Sequence, residues 1–600
     1  MKKISRPAFS PLSLNAIVPS GWYKRQLEIQ AAGLSGHLDE LWPDIYDSQW
    51  LGGSSEGWER LPYWLDGFIP LAALLRDELL LARARKYIDA ILAHQQEDGW
   101  LCPTRTQKER ERYDMWALFL LLKVLVVWHD ATGDARVEEA VYRALVSLDC
   151  HIDHSTLFNW AQTRWFECLI PIFWLYEHRP EPWIWDLAVK LHAQGFDWES
   201  FFTTWPMESP NPQGRWSQMN HVVNNAMMLK SSVLWSRMFG EASGGDVAAQ
   251  MLAQLDTHHG MINGMFSGDE CLAGLSPSQG TELCAVVEAM YSLQLLLGTG
   301  EAAWGDRLER IAYNALPAAM TPDMWAHQYD QQVNQPFAGV MENPPYTTNS
   351  PDANIFGFEP CYGCCTANFS QGWPKFAQSL VMSAEDGIAI TAWAPVAVKT
   401  TVQGVAVTLE IITDYPFRED VKVRVRAERP VEFALYLRIP GWAEDASVDG
   451  EGVCAGQYHQ IRRSWDSATL ALRFPMPHAL VSRPEGRAAL VRGPLVYSVK
   501  LSENVQEIPG TVSYHKPPHA NYQISTDAPY EYSWIRTSDF HFHEVPIGEY
   551  PFSPEGAPMM CRAKCVGPKC TADIELIPYG CTNIRMTEME ISLGAPLNRD

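Results

Sequence analysis

Two short clusters carry the residue types best suited to chemistry: Glu282-x-Cys284, and the adjacent pair Cys364-Cys365 further along the chain. Three thiols and a carboxylate form a donor set for tetrahedral zinc, which holds Cys as thiolate at neutral pH. Adjacent cysteines seldom pair with each other, because disulfide geometry strains the peptide between them. The competing reading is structural: among 13 cysteines one adjacent pair is ordinary, and a free Cys is usually a small buried hydrophobe. Residues two apart on a helix point to different sides, so Glu282 and Cys284 converge only at a helix start or a distorted turn. Gly280-Thr281, just before them, reads as such a start.

A second group, Cys561, Cys565, Cys570 and Cys581, has the spacing of a loose metal knuckle, with a structural role as the alternative. Cys361, three residues before Cys364, is a possible spare ligand. Asp66, in Trp64-Leu65-Asp66-Gly67, reads either as a residue of a cavity mouth or as a helix cap.

The elements that must position these residues change character along the chain. From about Leu61 to Asp386 the apolar period is helical, in segments such as Pro70–Gln95, Tyr113–His129, His221–Phe239 and Glu282–Gly298. Ten or so consecutive helices with short links and no fixed repeat point to an (α/α)6 helical toroid rather than a solenoid. After Gly387 the period becomes two, with strands expected at Val405–Leu409, Val421–Val425, Phe433–Ile439 and Thr469–Leu472. The expected fold is multidomain α + β: a toroid over residues 1–386, a β-sandwich over 387–501 and a second small β-sandwich over 502–600. The long loop from Gln331 to Tyr362 delivers the chain to Cys364, and loops of that length are more often functional than idle.

Composition narrows the partners. With 47 basic against 71 acidic residues, a net charge of −24 repels nucleic acid and anionic membranes. The 24 tryptophans include candidates for stacking on sugar faces, although most belong in a core. No run reaches the length of a membrane span, and no signal peptide is legible behind Met1-Lys2-Lys3. An odd number of cysteines then indicates a reducing compartment, and a cytoplasmic location is expected. Oligomeric state is not legible.

Several motifs are shared with a known family. Gly280-Thr281-Glu282-Leu283-Cys284, Leu308-Glu309-Arg310-Ile311-Ala312-Tyr313-Asn314 and Gly363-Cys364-Cys365-Thr366-Ala367-Asn368 resemble the β-L-arabinofuranosidases of glycoside hydrolase family 127. Gly21–Leu27, Tyr63–Gly67 and Pro578–Thr582 extend the resemblance nearly end to end. It implies a retaining hydrolase with a zinc-bound cysteine nucleophile: Glu282, Cys284, Cys364 and Cys365 match the zinc ligands, and Cys364 the nucleophile. Glu270, in Gly268-Asp269-Glu270, matches the general acid/base, with Asp269 as the alternative. His221, Glu309 and Tyr329 match sugar contacts, whereas two further family histidines have no counterpart.

The implied chemistry is physically coherent. A retaining glycosidase needs a nucleophile on one face of the anomeric carbon and a proton donor on the leaving-group side. An anionic cluster favours an oxocarbenium-like transition state and raises the pKa of a nearby acid. The missing histidines leave the sugar open, including another unusual or acidic sugar of pectin. An acidic sugar would need a local cation, for which Arg164 and Arg215 are the candidates. Other readings are a toroidal epimerase or lyase with structural zinc, and a non-catalytic carbohydrate-binding protein. For the matched contacts, His221 as a satisfied core histidine and Glu309 as part of a solvated charged face are the structural alternatives.

Overall fold

The computed structural model describes residues 2–592 except 213, 241–243, 359–362, 511–516 and 537. Among the described residues, six inner helical segments follow one another around a ring. They are Arg60–Leu75, Trp116–Thr132, Trp165–Cys168 running into Leu169–His178, Val222–Met228 with Ser231–Ser236, Leu283–Leu296, and Gly363–Asn368 leading to Gly372–Gln378. Each packs on the next, and the last returns to the first. Outer helices Glu78–Ala93, Arg136–Ile152, Pro182–Gln194, Gly244–His259 and Ala303–Arg310 flank the first five, and Gly21–Ala32 flanks the sixth. This closed double ring is the expected (α/α)6 toroid.

The inner helices are buried all round, and this is where sequence periodicity misplaced an element. The expected helix Pro70–Gln95 is two helices, Arg60–Leu75 and Glu78–Ala93. Every residue from Leu61 to Leu74 is buried, so there is no polar face to reveal the 3.6-residue period. The break falls at Arg76, with φ 55°, and Asp77 caps the next helix by accepting the Leu79 and Leu80 amides. Closure depends on Gly67: a Cβ there would meet the Ser370 carbonyl carbon at 2.1 Å, so only glycine lets these two inner segments touch.

Within the ring sit six buried charges of alternating sign, one from each inner segment: Asp66, Lys123, Glu167, Lys230, Glu288 and Lys375. Lys123 lies 3.1 Å from Asp66 and 3.8 Å from Glu167, Lys230 pairs with Glu167 and lies 3.7 Å from Glu288, and Lys375 pairs with Asp66. All three ammonium groups face the ring of Tyr291, at 4.0 to 5.0 Å from its centroid. Burial would raise the carboxyls of Asp66 and Glu288, but the lysines around them hold both below the usual range. Asp66 is thus neither a mouth residue nor a cap.

The chain after Leu380 is β-rich. A ten-stranded sheet contains Val396–Val402, Val405–Thr413, Asp420–Arg438 and Tyr458–Arg473. Asp420–Arg438 joins two expected strands into one, with a register shift between Arg426 and Val431. Two strands from the start of the chain complete this sheet: Phe9–Pro11 pairs with Val381–Ala384, and Ile17–Pro19 with Val396–Val402. Three residues are too few to show alternation, so neither was legible. The expected 386/387 boundary falls in the turn between Val381–Ala384 and Gly387–Ile390, both in this sheet. A nine-stranded sheet joins His478–Ser482, Arg487–Arg492 and Leu495–Lys500 to strands such as Met559–Val566 and Thr571–Pro578. The expected 501/502 boundary therefore lies inside its pairing pattern, because strand partners are chosen by tertiary contact and not by the change in composition near Ser502.

Candidate active site

Glu282 and Cys284 converge because the helix begins between them. Gly280–Glu282 is a short strand paired with Asp330–Gln332, and the helix Leu283–Leu296 starts immediately after it. Glu282 keeps extended backbone (φ −66°, ψ 133°) while Cys284 is helical, so both side chains reach one point. The inner helix Gly363–Asn368 brings Cys364 and Cys365 to the same place. The donor atoms of Glu282, Cys284, Cys364 and Cys365 all lie within 4.8 Å of one another, and the Cys365 thiol donates to Cys284 Sγ at 3.2 Å.

This donor set fits a tetrahedral cation. One Glu282 oxygen is buried with no hydrogen-bond partner among the described residues, an arrangement that is costly unless a charge satisfies it. Burial raises the Glu282 carboxyl well above its usual range, with Glu270 and Cys364 adding to the effect. Among the three thiols, hydrogen bonds from Cys284 and Cys365, with His221 and Arg60 nearby, push Cys364 well below the ordinary thiol value. Burial pushes Cys284 and Cys365 up. Cys364 is also the one of the three with partial exposure, where a substrate could meet it.

Glu270 stands beside this cluster. It is the single residue between Asp269 and Cys271, which pair with each other, and its φ of 75° is a left-handed conformation that costs a side chain roughly 1 kcal/mol or more. That conformation turns its carboxylate into the cavity while its carbonyl accepts the Val222 amide at 2.8 Å. One oxygen takes the Tyr329 hydroxyl; the other lies 3.5 Å from His221 Nε2. His221 Nδ1 accepts the Asn224 amide at 3.3 Å, which leaves the proton on Nε2, facing Glu270. Asp269 points the other way. Its carboxylate accepts the Thr347 and Thr348 amides of the long loop, and burial pushes it up to about 6.

The structure thus gathers Glu282, Cys284, Cys364, Cys365, Glu270, His221 and Tyr329, but not Glu309. Glu309 is fully buried away from the cavity, ion-paired to Arg438 of the strand Asp420–Arg438. It also accepts the Trp393 amide at 2.8 Å and the Tyr415 hydroxyl. Its charge looked like a solvated helix face because its partners lie more than eighty residues away. Glu309→Ala is expected to cost about 3–5 kcal/mol, the penalty for stranding a buried partner, while KM of the folded enzyme stays put. Thermal unfolding run beside kinetics checks both.

The second cysteine group does not assemble into a metal-capable cluster among the described residues. Burial pushes the Cys561, Cys565 and Cys581 thiols up to about 12, and Cys570 is exposed. Cys361 lies outside the described residues.

A cavity of about 250 Å³ opens over the site, lined by Cys364, Glu282, Glu270 and His221. Its other wall contains Glu59, Tyr63, Trp160 and Arg164. Of these, Arg164 and Tyr63 stood out in the sequence, the latter in the segment Tyr63–Gly67; Glu59 lies in a segment with no motif of its own. Arg215 is exposed and does not line the cavity.

The Cys and Glu cluster lies in a helical toroid with β-rich appendages, and comparison supplies the class, a glycoside hydrolase. The chain matches the catalytic-domain model of the GH127 β-L-arabinofuranosidases over residues 44–378 and the GH127 middle-domain model over 387–476. It therefore belongs to glycoside hydrolase family 127. Among solved structures it is similar to a GH127 β-L-arabinofuranosidase from Geobacillus stearothermophilus T6, with 17% identity, TM-score 0.72, and coverage of 96% of this chain and 100% of that one. It is also similar to a GH127 β-arabinofuranosidase at 16% identity and TM-score 0.70, covering 98% of each chain. A further glycoside hydrolase matches at 16% identity and TM-score 0.73, covering 98% of this chain and 99% of that one. No curated protein matches the sequence. No described helix is long and apolar enough to cross a membrane.

Proposed function

We propose that the protein is a retaining, exo-acting β-L-arabinofuranosidase that acts on short plant-derived oligosaccharides. Cys364 is the nucleophile and Glu270 the general acid/base. The observation that carries this reading is the convergence of Cys364 and Glu270 on one cavity, with Glu282 grouped with each of them. Glu282, Cys284, Cys364 and Cys365 would hold zinc, which when bound supplies a charge that keeps the thiols ionised and aimed.

The chain's own groups then divide the work. Cys364 Sγ attacks the anomeric carbon while Glu270 delivers its proton to the departing glycosidic oxygen. The resulting glycosyl thioether on Cys364 is opened by a water whose proton returns to Glu270, giving net retention. Tyr329 and His221 hold the two oxygens of Glu270 in place. The reading assigns the catalytic role to residues 1–386 and a reducing, cytoplasmic setting to the enzyme, which the need for free thiols supports.

The test is zinc content together with hydrolysis of p-nitrophenyl β-L-arabinofuranoside and a panel of related glycosides, on protein purified under reducing conditions. One zinc per chain with turnover is the expected result. Zinc with no turnover on any glycoside would move the weight to another reaction on the same scaffold, and no zinc at all would sink the mechanism.

A further inference from the structure

The far wall of the cavity contains a charged assembly that the reaction does not use. Arg164 is only 3% exposed, and its guanidinium lies between the rings of Trp116 and Trp160, 4.5 and 4.4 Å from their centroids. Its Nε donates to Asn224 Oδ1 at 2.7 Å, and a terminal nitrogen lies 3.5 Å from the Tyr63 hydroxyl and 3.7 Å from Glu59. Glu59 is anchored in turn by the Trp116 indole N–H at 2.7 Å. The two aromatic faces and Asn224 remove most of the rotamer freedom of a long side chain, so the guanidinium is already ordered before any ligand arrives.

Charge matching decides what this wall can bind. Among the described residues lining the cavity, each arginine has an acidic neighbour: Arg164 has Glu59, and Arg60 pairs with Asp44. A sugar carboxylate would enter a cavity that already holds Glu270, Glu282 and the thiol cluster, and find Arg164 engaged. Neutral hydroxyls, which both donate and accept, suit an adjacent guanidinium and carboxyl. Burial pushes the Glu59 carboxyl up to about 7 despite Arg164, so near neutral pH it serves as donor or acceptor. The volume, about 250 Å³, is below the roughly 300–1,000 Å³ usual for drug-sized ligands and suits a single sugar ring.

We propose that Glu59 and Arg164 are specificity-determining residues that bind neighbouring hydroxyls of one neutral terminal sugar, and that Glu59, by occupying Arg164, excludes uronic acids. The inference rests on the glycosidase reading for its site but not for its test. It also removes Arg164 as a candidate cation for an acidic sugar, because Glu59 already occupies it.

The experiment is titration of the zinc-loaded protein with L-arabinose and with D-galacturonate. It is followed by tryptophan fluorescence, which Trp160 in the wall should report, and by competition against p-nitrophenyl β-L-arabinofuranoside. Wild type is expected to bind arabinose and ignore galacturonate. Glu59→Gln should weaken arabinose binding about tenfold or more, because the amide replaces one carboxyl oxygen with a fixed donor and no longer pairs with Arg164, and should admit galacturonate. Arg164→Lys, which keeps the charge and loses the planar fork, should weaken arabinose without admitting the acid. Zinc content should match wild type in both, and binding is read at a temperature where the melting curve of each variant shows it folded. If Glu59→Gln does not fold, Glu59→Asp should retain exclusion of the acid with weaker arabinose binding. Arabinose affinity within twofold of wild type in Glu59→Gln would overturn the proposal. Galacturonate binding to wild type as tight as arabinose, or no arabinose binding to wild type, would do the same. Because the fluorescence arm needs no turnover, it tests the wall even in an enzyme that fails on every glycoside.

Discussion

Cys364→Ser is expected to lower kcat for p-nitrophenyl β-L-arabinofuranoside by about four orders of magnitude or more, the scale of removing a covalent nucleophile. A hydroxyl in that place is both a poorer nucleophile and far harder to ionise than a thiol already driven toward thiolate. Three donors remain at Glu282, Cys284 and Cys365, so zinc binding should weaken without vanishing, and metal analysis of the variant separates loss of nucleophile from loss of metal. Glu270→Gln should behave differently. General acid–base assistance is worth about 10²–10⁴, but p-nitrophenolate leaves without much help. The variant should therefore slow an alkyl arabinofuranoside more than the aryl one, and on the aryl substrate the second step, attack by water, should become limiting. Asp269→Asn is the counter-check. Its carboxylate holds the Thr347–Thr348 loop, so it should not reproduce that leaving-group dependence. Equal sensitivity of Glu270→Gln to both leaving groups would remove Glu270 from the role of acid.

The second large effect concerns the charge ring under the site. Lys230→Met leaves Glu167 and Glu288 facing each other across an apolar side chain, with Lys123, Lys375 and Arg164 nearby to balance them. Removing one partner from a buried ion pair costs about 3–5 kcal/mol, because the stranded charge keeps its desolvation penalty. Glu288 also accepts Gln371 Nε2 at 2.9 Å and Asn368 Nδ2 at 3.3 Å, and so joins the helix of Cys284 to the segment of Cys364 and Cys365. Destabilisation at this point should therefore be accompanied by weaker zinc binding, whereas Glu309→Ala, at the β-rich interface, should lower stability alone. The pair of melting curves, each with and without added zinc, checks this. A Lys230→Met protein as stable as wild type would mean that the ring is dispensable to the toroid.

Much of this architecture could be read from residue patterns. The outer helices show polar and apolar faces, as in Arg136–Ile152, and the longer strands alternate, as in Val405–Thr413. The inner helix Arg60–Leu75 could not be placed because burial on every side erases the period, and the strand Phe9–Pro11 because its partner lies beyond residue 380. At the site, Glu282, Cys284, Cys364 and Cys365 were legible as a possible donor set from residue type, and the family-like motifs around them favoured that reading over buried structural cysteines.

What the sequence offered by itself is a family resemblance and, through it, candidates for the chemistry: Cys364 as nucleophile, Glu282, Cys284, Cys364 and Cys365 as a ligand set, and Glu270 as acid. Tertiary structure alone decided which charges meet. It turned Glu270 into the cavity and Asp269 toward the Thr347–Thr348 loop, sent Glu309 to Arg438, set Glu59 against Arg164, and gathered six charges from six segments inside the toroid. The physical reason is that short-range pattern records burial and local turn geometry, which act within a few residues. Charge pairing acts through space, between side chains that the sequence separates by tens to hundreds of positions and only the closed toroid brings together.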